Sequence, residues 1–184
     1  MALPLVFLGT AELACASLRA LAASPDYQIV AVVSQQDKPR GRDLRLQPTF
    51  VKAAALELGL PVLQPKRARD PAFIEEIRAL SPALMVVVAY GQILPQALLD
   101  VPAHGCLNVH TSLLPRHRGA APIQWSILSG DAVTGVTIMQ MDAGLDTGPI
   151  LTQRETPIAP ADTSQTLHDR LASLGADLLL DTIP

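Results

Sequence analysis

Short apolar runs of strand length alternate along the whole chain with amphipathic stretches of helical period, and this alternation constrains the fold more than any other feature. Leu3–Leu8, Ile29–Val33, Leu84–Ala89, Cys106–His110, Val133–Gln140 and Ile150–Glu155 read as strands. A helix over Thr10–Ala22 would have Thr10 as its N-cap and Leu13, Ser17, Leu18 and Leu21 on one face. A second helix fits Phe50–Leu58 and stops at Gly59, a third opens at Asp70-Pro71 and runs to Leu80, and the last spans about Thr163 to Leu180. Near-continuous apolar strands belong in sheets covered on both faces, and strands separated by helices form βαβ units. The pattern predicts a Rossmann-like α/β fold: an open, mostly parallel sheet with helices on both faces and Leu84–Ala89 at its centre. Ser34–Thr49, broken by Pro39, Gly41 and Pro48, reads as one long polar loop, and long loops in compact domains are usually functional.

Composition narrows the class. At 184 residues, 49% apolar and 17% charged, the chain suits one domain with a substantial core and argues against disorder. No apolar run approaches the roughly 20 residues that span a bilayer. The N-terminus carries neither a basic secretory region nor an Arg/Ser-rich transit pattern, which predicts a cytoplasmic protein. Cys15 and Cys106 sit in apolar surroundings without ligand spacing, so they read as small core residues, and no metal site is expected. The net charge of -3 hides an uneven distribution: Lys38 to Arg69 holds eight of the fourteen basic residues against Asp43 and Glu57, a +6 segment on a -9 remainder. Alone, this segment fits a solvated face as well as a nucleic-acid footprint.

Gly9 stands alone after the first strand, so the three-glycine dinucleotide fingerprint is missing, as are a P-loop and a G-x-S-x-G elbow. Asn108 and His110, two apart at a strand end, share one face near the carboxyl edge, where open α/β sheets bind ligands. They fit either a hydrogen-bonded pair closing a turn or a site. The apolar-then-basic run from Ser112 to Pro122 follows no helix or strand period, and such loops commonly wrap ligands. Asp142 and Asp146 lie in a glycine-punctuated turn, where Asp142 suits capping of its own backbone and Asp146 is harder to explain that way.

Asn108-x-His110, Ser112-Leu-Leu-Pro115, R-x-R-G-A-A-P-I-Q from Arg116, G-L-D-T-G from Gly144, V-V-V-A-Y-G from Val86 and T-I-M-Q-M-D from Thr137 together resemble the formyltransferase family that uses 10-formyltetrahydrofolate. The resemblance covers nearly the whole chain, and G-A-A-P-I-Q with T-I-M-Q-M-D resembles the branch that formylates a charged tRNA. It implies a formyltransferase-type fold, 10-formyltetrahydrofolate as formyl donor, the α-amine of initiator methionyl-tRNA as acceptor, a role in translation initiation, no metal, and a monomer. It assigns Asn108, His110 and Asp146 as the catalytic trio. Folate would lie against Tyr90, Gly91, Gln92, Ile93 and Leu94, against Ser112, Leu113, Leu114 and Pro115, and near Asp142. Lys38, Arg40, Arg42 and Arg45 would meet the tRNA, with Arg42, after Gly41, making the main contact and the others supplying phosphate charge. With aromatics at 3%, charge rather than ring stacking would dominate.

Residues 1–184 correspond to the family's catalytic domain, with its C-terminal β-barrel domain expected to be absent from this chain. A glycinamide ribonucleotide or sugar-nucleotide formyltransferase, or a formyltetrahydrofolate hydrolase, would share the trio and the folate loop. Ala11 and Leu13 stand where the family usually has Pro and Phe, and Thr111 replaces a smaller residue. His104, His117 and His168 match nothing catalytic and read as surface or turn residues.

Overall fold

The computed structural model describes residues 1–40 and 45–183. Its elements follow in the order β1 (Leu3–Gly9), α1 (Ala14–Ala23), β2 (Tyr27–Val33), β3 (Lys38–Arg40), β4 (Arg45–Gln47), α2 (Phe50–Glu57), β5 (Val62–Leu63), α3 (Pro71–Ala79), β6 (Leu84–Val88), α4 (Gln96–Leu99), β7 (Cys106–His110), α5 (Pro122–Leu128), β8 (Val133–Gln140), β9 (Ile150–Pro157) and α6 (Ser164–Thr182). Seven strands form one sheet in the order β5-β2-β1-β6-β7-β8-β9. The first five pair in parallel, whereas β8 pairs antiparallel with β7 and β9 pairs antiparallel with β8. β6 is central, and all five of its residues are buried, as its unbroken apolar sequence requires.

Period-2 alternation decides what each face packs against. Leu5, Phe7, Val86, Leu107, Val109, Val136 and Ile138 point to the side where α1, α2 and α6 contribute Leu18, Leu21, Val51, Leu167 and Leu171. Val6, Leu8, Met85, Val87 and Cys106 point to the other side, toward Phe73, Ile74 and Ile77 of α3 and Leu98 and Leu99 of α4. Cys106 is 1% exposed, and burial pushes its thiol up to about 12, so it is an inert core residue. Asn108 and His110 share the face of Cys106. No helix among the described residues is long and apolar enough to cross a membrane.

Several boundaries differ from the sequence expectation, each for a local reason. α1 begins at Ala14, not after Thr10, because the Thr10 hydroxyl is engaged elsewhere: it donates to Tyr90 O at 2.7 Å and accepts from Gln35 N at 3.2 Å. The expected loop from Ser34 to Thr49 contains an antiparallel ribbon in which Lys38 faces Gln47 and Arg40 faces Arg45. Arg42 lies outside the described residues. Thr49 closes this segment by capping α2, accepting from Lys52 N at 3.0 Å.

α6 is anchored by a charge cluster at its start. Thr163 and Thr166 form a capping box, and Asp162 accepts from Arg170 at 2.7 and 3.0 Å, from Ala159 N and from the Thr166 hydroxyl. The Arg170 guanidinium, with help from the other donors, holds the Asp162 carboxyl down to about 2. An unfolded Asp titrates near 3.9, so on acidification the unfolded chain takes up this proton first. The cluster's contribution is therefore full above about pH 4 and drains as pH falls toward 2. Asp162→Asn should flatten this part of the acid-unfolding profile; an unchanged profile between pH 4 and 2 would contradict the assignment.

Candidate active site

The strand order reverses between β1 and β6: the chain leaves β1 toward β2 and β5, then returns to lay β6 on the other side. Loops at the carboxyl ends of such neighbours diverge and leave a crevice. Here the crevice is a cavity of about 590 Å³, within the usual range for small-molecule sites. Ala11 and Leu13 after β1, Ala89–Leu94 after β6, Asn108–Thr111 at the end of β7 and Met141–Asp146 after β8 line it. Ala89, Ala121 and Asp146 in its wall have positive φ (45°, 57° and 52°) despite carrying a Cβ. Strained backbone gathered at one cleft marks a built site.

Asp146 is the hub of the polar edge. The loop after β8 starts beside the beginning of β7, where Met141 N–H donates to Cys106 O at 2.8 Å, and travels along that strand until Asp146 faces Asn108 and His110. Asp146 Oδ1 accepts from Asn108 Nδ2 at 3.3 Å, and Oδ2 accepts from Gly119 N at 2.7 Å. Arg118 Nε adds a bond to the Asp146 carbonyl at 3.1 Å. His110 Nδ1 lies 3.7 Å from Asp146 Oδ2, too far for a full hydrogen bond but close enough for attraction when the ring is charged. The other ring nitrogen is 2.9 Å from His117 O. A carbonyl only accepts, so His110 Nε2 carries a hydrogen, and Nδ1 is the atom turned toward Asp146. The His110 and Asp146 side chains are 8% and 11% exposed, so their interaction is weakly screened. Asn108 spends one amide hydrogen on Asp146 and keeps the second for the cavity that it lines.

The other predicted contacts divide. Tyr90, Gly91, Gln92, Ile93, Leu94 and Asp142 line the cavity. The Gln92 side chain is tied to Ala68 N at 2.8 Å and Lys66 O at 3.4 Å. Tyr90 is buried in the core cluster that includes Phe73, Ile74 and Ile77, and its hydroxyl has no hydrogen-bond partner among the described residues. Asp142 caps its own turn, accepting from Gly144 N at 2.9 Å and the Thr147 hydroxyl at 2.7 Å.

Ser112, Leu113, Leu114 and Pro115 are not among the residues that line this cavity. Main-chain atoms of Ser112 and Leu114 are tied to the sheet. Thr137 of β8 donates to Ser112 O at 2.7 Å and accepts from Leu114 N at 3.1 Å, while Gln153 of β9 donates to Leu114 O at 2.9 Å. Leu113 packs instead over Gly135 and borders a separate pocket of about 300 Å³. Gly119–Gln124 also line the cavity, and helix α5 in that run has Pro122 in its first turn and Gly130 beyond its end. Proline inside a start and glycine past an end were signals available in the sequence. His168, expected on the surface, also reaches the cavity wall.

Among the described residues of the basic segment, Lys38 reaches the cavity-lining loop through the side chain of Gln35. Lys38 Nζ donates to Gln35 Oε1 at 3.1 Å, and Gln35 Nε2 donates to Tyr90 O at 2.9 Å in the cavity-lining loop. At the same corner Asp37 is held by Lys52 and Gln64, each at 2.7 Å, which keeps its carboxyl below the ordinary range. Lys38 and Arg45 are exposed.

A mostly parallel α/β sheet whose carboxyl-edge cleft is bordered by Asn, His and Asp has the layout of a ligand-binding domain, and the comparisons with known proteins make the class specific. The chain belongs to the formyl transferase family, whose pattern matches residues 4–183. It is 53% identical over 181 residues to a methionyl-tRNA formyltransferase of Geobacter sulfurreducens, covering 98% of this chain and 57% of that protein. It is 57% identical over 181 residues to the methionyl-tRNA formyltransferase of Pseudomonas syringae pv. syringae, with the same two coverages. The chain thus spans a little over half the length of these curated relatives. Among solved structures, glycinamide ribonucleotide transformylase 1 from Symbiobacterium toebii superposes with a TM-score of 0.82 at 22% identity, covering 99% of this chain and 86% of that one. Phosphoribosylglycinamide formyltransferase from Anaplasma phagocytophilum gives 0.82 at 24% identity, covering 100% and 86%. Those two likenesses establish the fold.

Proposed function

We propose that this chain carries the catalytic part of a methionyl-tRNA formyltransferase, moving a formyl group from 10-formyltetrahydrofolate to the α-amine of initiator methionyl-tRNA. The observation that carries the reading is the convergence of Asn108, His110 and Asp146 at one edge of the cavity. Identity of 53% and 57% to proteins of that name supports the acceptor. The cavity fits the donor: a flat heterocycle rich in hydrogen-bonding groups suits apolar walls edged by the main chain of Gly91–Leu94 and the turn at Asp142.

The residues then have distinct tasks. The acceptor amine is partly neutral near pH 7, since free α-amino groups titrate near 8. As its nitrogen bonds to the formyl carbon, the carbonyl oxygen gains negative charge. Asn108 Nδ2–H and a protonated His110 donate to that oxygen, and losing one such donor typically costs on the order of a hundredfold in rate. Asp146 balances the charge on His110 and relays, through water, the proton lost by the amine to the nitrogen from which the formyl carbon departs. One carbon–nitrogen bond forms and one breaks, without a covalent enzyme intermediate.

Lys38, Arg40, Arg42 and Arg45 are the proposed tRNA footing, and Lys38 is one side chain removed from the cavity loop, as a substrate anchored outside but reacting inside requires. The test is formylation of initiator methionyl-tRNA beside glycinamide ribonucleotide, with tRNA binding measured across salt concentrations. Methionyl-tRNA should be the acceptor. Arg42→Ala should weaken its binding several-fold and reduce the salt slope by about 1. Turnover only with the ribonucleotide would overturn the acceptor; unchanged affinity and slope in Arg42→Ala would remove that contact.

A further inference from the structure

His110 is held from behind by a unit that the reaction above does not use. Its Nε2–H donates to the main-chain oxygen of His117 at 2.9 Å, and that oxygen's position depends on how residue 117 is held. His117 has φ 52°, left-handed backbone that a residue with a Cβ adopts only under restraint. The restraint is visible: His117 Nε2 donates to Asp131 Oδ2 at 2.7 Å, with side chains 16% and 7% exposed. Arg116 Nη2 binds the second Asp131 oxygen at 2.5 Å, but the Arg116 side chain is 63% exposed and correspondingly screened. Asp131 is itself fixed at the turn before β8, where its N–H donates to Ser126 O at 3.0 Å. Ser112 completes the frame, its hydroxyl donating to Arg116 O at 2.7 Å.

We propose that His117 and Asp131 are positioning residues: Asp131 grips the His117 imidazole, the grip sets the His117 carbonyl, and the carbonyl keeps hydrogen on Nε2 of the neutral His110 ring, so that Nδ1, which takes the second hydrogen when the ring is protonated, faces Asp146 and the cavity. The reach of the unit is one bond per step, from the Asp131 carboxylate, fourteen positions beyond His117 in sequence, to the His110 ring that would meet the formyl oxygen. Without the grip, residue 117 relaxes out of its left-handed conformation and its carbonyl turns away. His110 Nε2–H is then left without an acceptor, and the ring is free to rotate or to shift its hydrogen to Nδ1. The hydrogen bond from His117 also holds the Asp131 carboxyl below its ordinary range, in keeping with a charged anchor. The effect on turnover rests on the proposed formyl transfer; the effect on the His110 ring does not.

The experiment combines Asp131→Ala, His117→Ala, their double variant and Asp131→Asn, read by long-range proton–nitrogen NMR of the His110 ring and by kcat and KM. Both alanine variants should replace the Nε2–H pattern of His110 with a mixed or Nδ1–H pattern. Both should lower kcat on the order of 10- to 100-fold with KM for the formyl donor little changed, as expected for a displaced catalytic group. The double variant should be no worse than either single one, because both cut the same link. Asp131→Asn keeps an oxygen for His117 and should recover most of the loss. An unaltered His110 pattern in both alanine variants overturns the inference, as do independent, multiplying losses in the double variant. Absence of formyl transfer by the unsubstituted protein would sink the proposed reaction while leaving the ring measurement valid.

Discussion

Asp146→Asn is expected to lower formyl transfer on the order of a thousandfold while moving the melting temperature by no more than a few degrees. The substitution preserves size, and Asn tolerates the left-handed conformation that Asp146 adopts at φ 52°. What changes is acceptor capacity and charge. The carboxylate serves Asn108 with one oxygen and Gly119 with the other, and its second oxygen also faces His110 Nδ1. An amide has one oxygen. If that oxygen stays with Gly119, its NH2 group confronts the Asn108 amide hydrogen; if it turns to Asn108, the NH2 confronts Gly119 N–H. Either way the protonated His110 ring loses its counter-charge and the proton relay loses its base. Single-turnover formylation beside a thermal melt separates the two effects. Turnover within tenfold of the unsubstituted protein, with the melt unchanged, would remove Asp146 from the chemistry.

The way this chain could be read depended on how far each feature reached. β1 and β6 were legible because a strand buried on both faces writes itself as an unbroken apolar run, here Leu84–Val88. Asn108 and His110 were legible as a pair because two-residue spacing on a strand fixes a shared face. The ribbon of β3 and β4 was not: three residues in each strand, Pro39 among them, carry no alternation, and nothing behind the exposed Arg45–Gln47 imposes one. β5 has two residues and α4 has four, below the length at which any period is visible.

The candidate site shows the same division. Asp146 was singled out because turn chemistry already accounted for Asp142, and the structure gives Asp142 that capping task. The sheet bonds of Ser112–Pro115 were not legible, because an aperiodic apolar run carries no signal of what it pairs with. Its partners, Thr137 and Gln153, are distant in sequence and reach it only through the antiparallel pairing of β8 with β7 and β9. His117 and His168 looked idle for the converse reason: Asp131 and the cavity wall, which give them a context, are assembled by the fold.

Gly148→Ala is expected to damage stability and turnover together. A Cβ at this position would sit 1.8 Å from Gln140 O and 3.0 Å from Gln140 C, both backbone atoms. Gln140 ends β8, and its N–H already donates to Pro149 O at 2.9 Å, so neither side of the crossing can withdraw without breaking the ladder. Gly144 offers the instructive contrast: its added Cβ would meet the Thr147 hydroxyl at 2.0 Å, a side-chain atom that rotation can move. Gly148→Ala should therefore cost about 2–4 kcal/mol, or roughly 5–15 °C in melting temperature for a chain of this size. Gly144→Ala should cost less than half as much. The crossing at Gly148 closes the base of the loop that carries Asp146, so opening it swings the carboxylate away from Asn108 and His110. A misplacement of about 1 Å can itself cost a hundredfold in rate. Melting curves and formylation rates for the two alanine variants decide the matter: a Gly148→Ala protein that melts within 2 °C of the parent and turns over normally would show that the loop's closure does not set the position of Asp146.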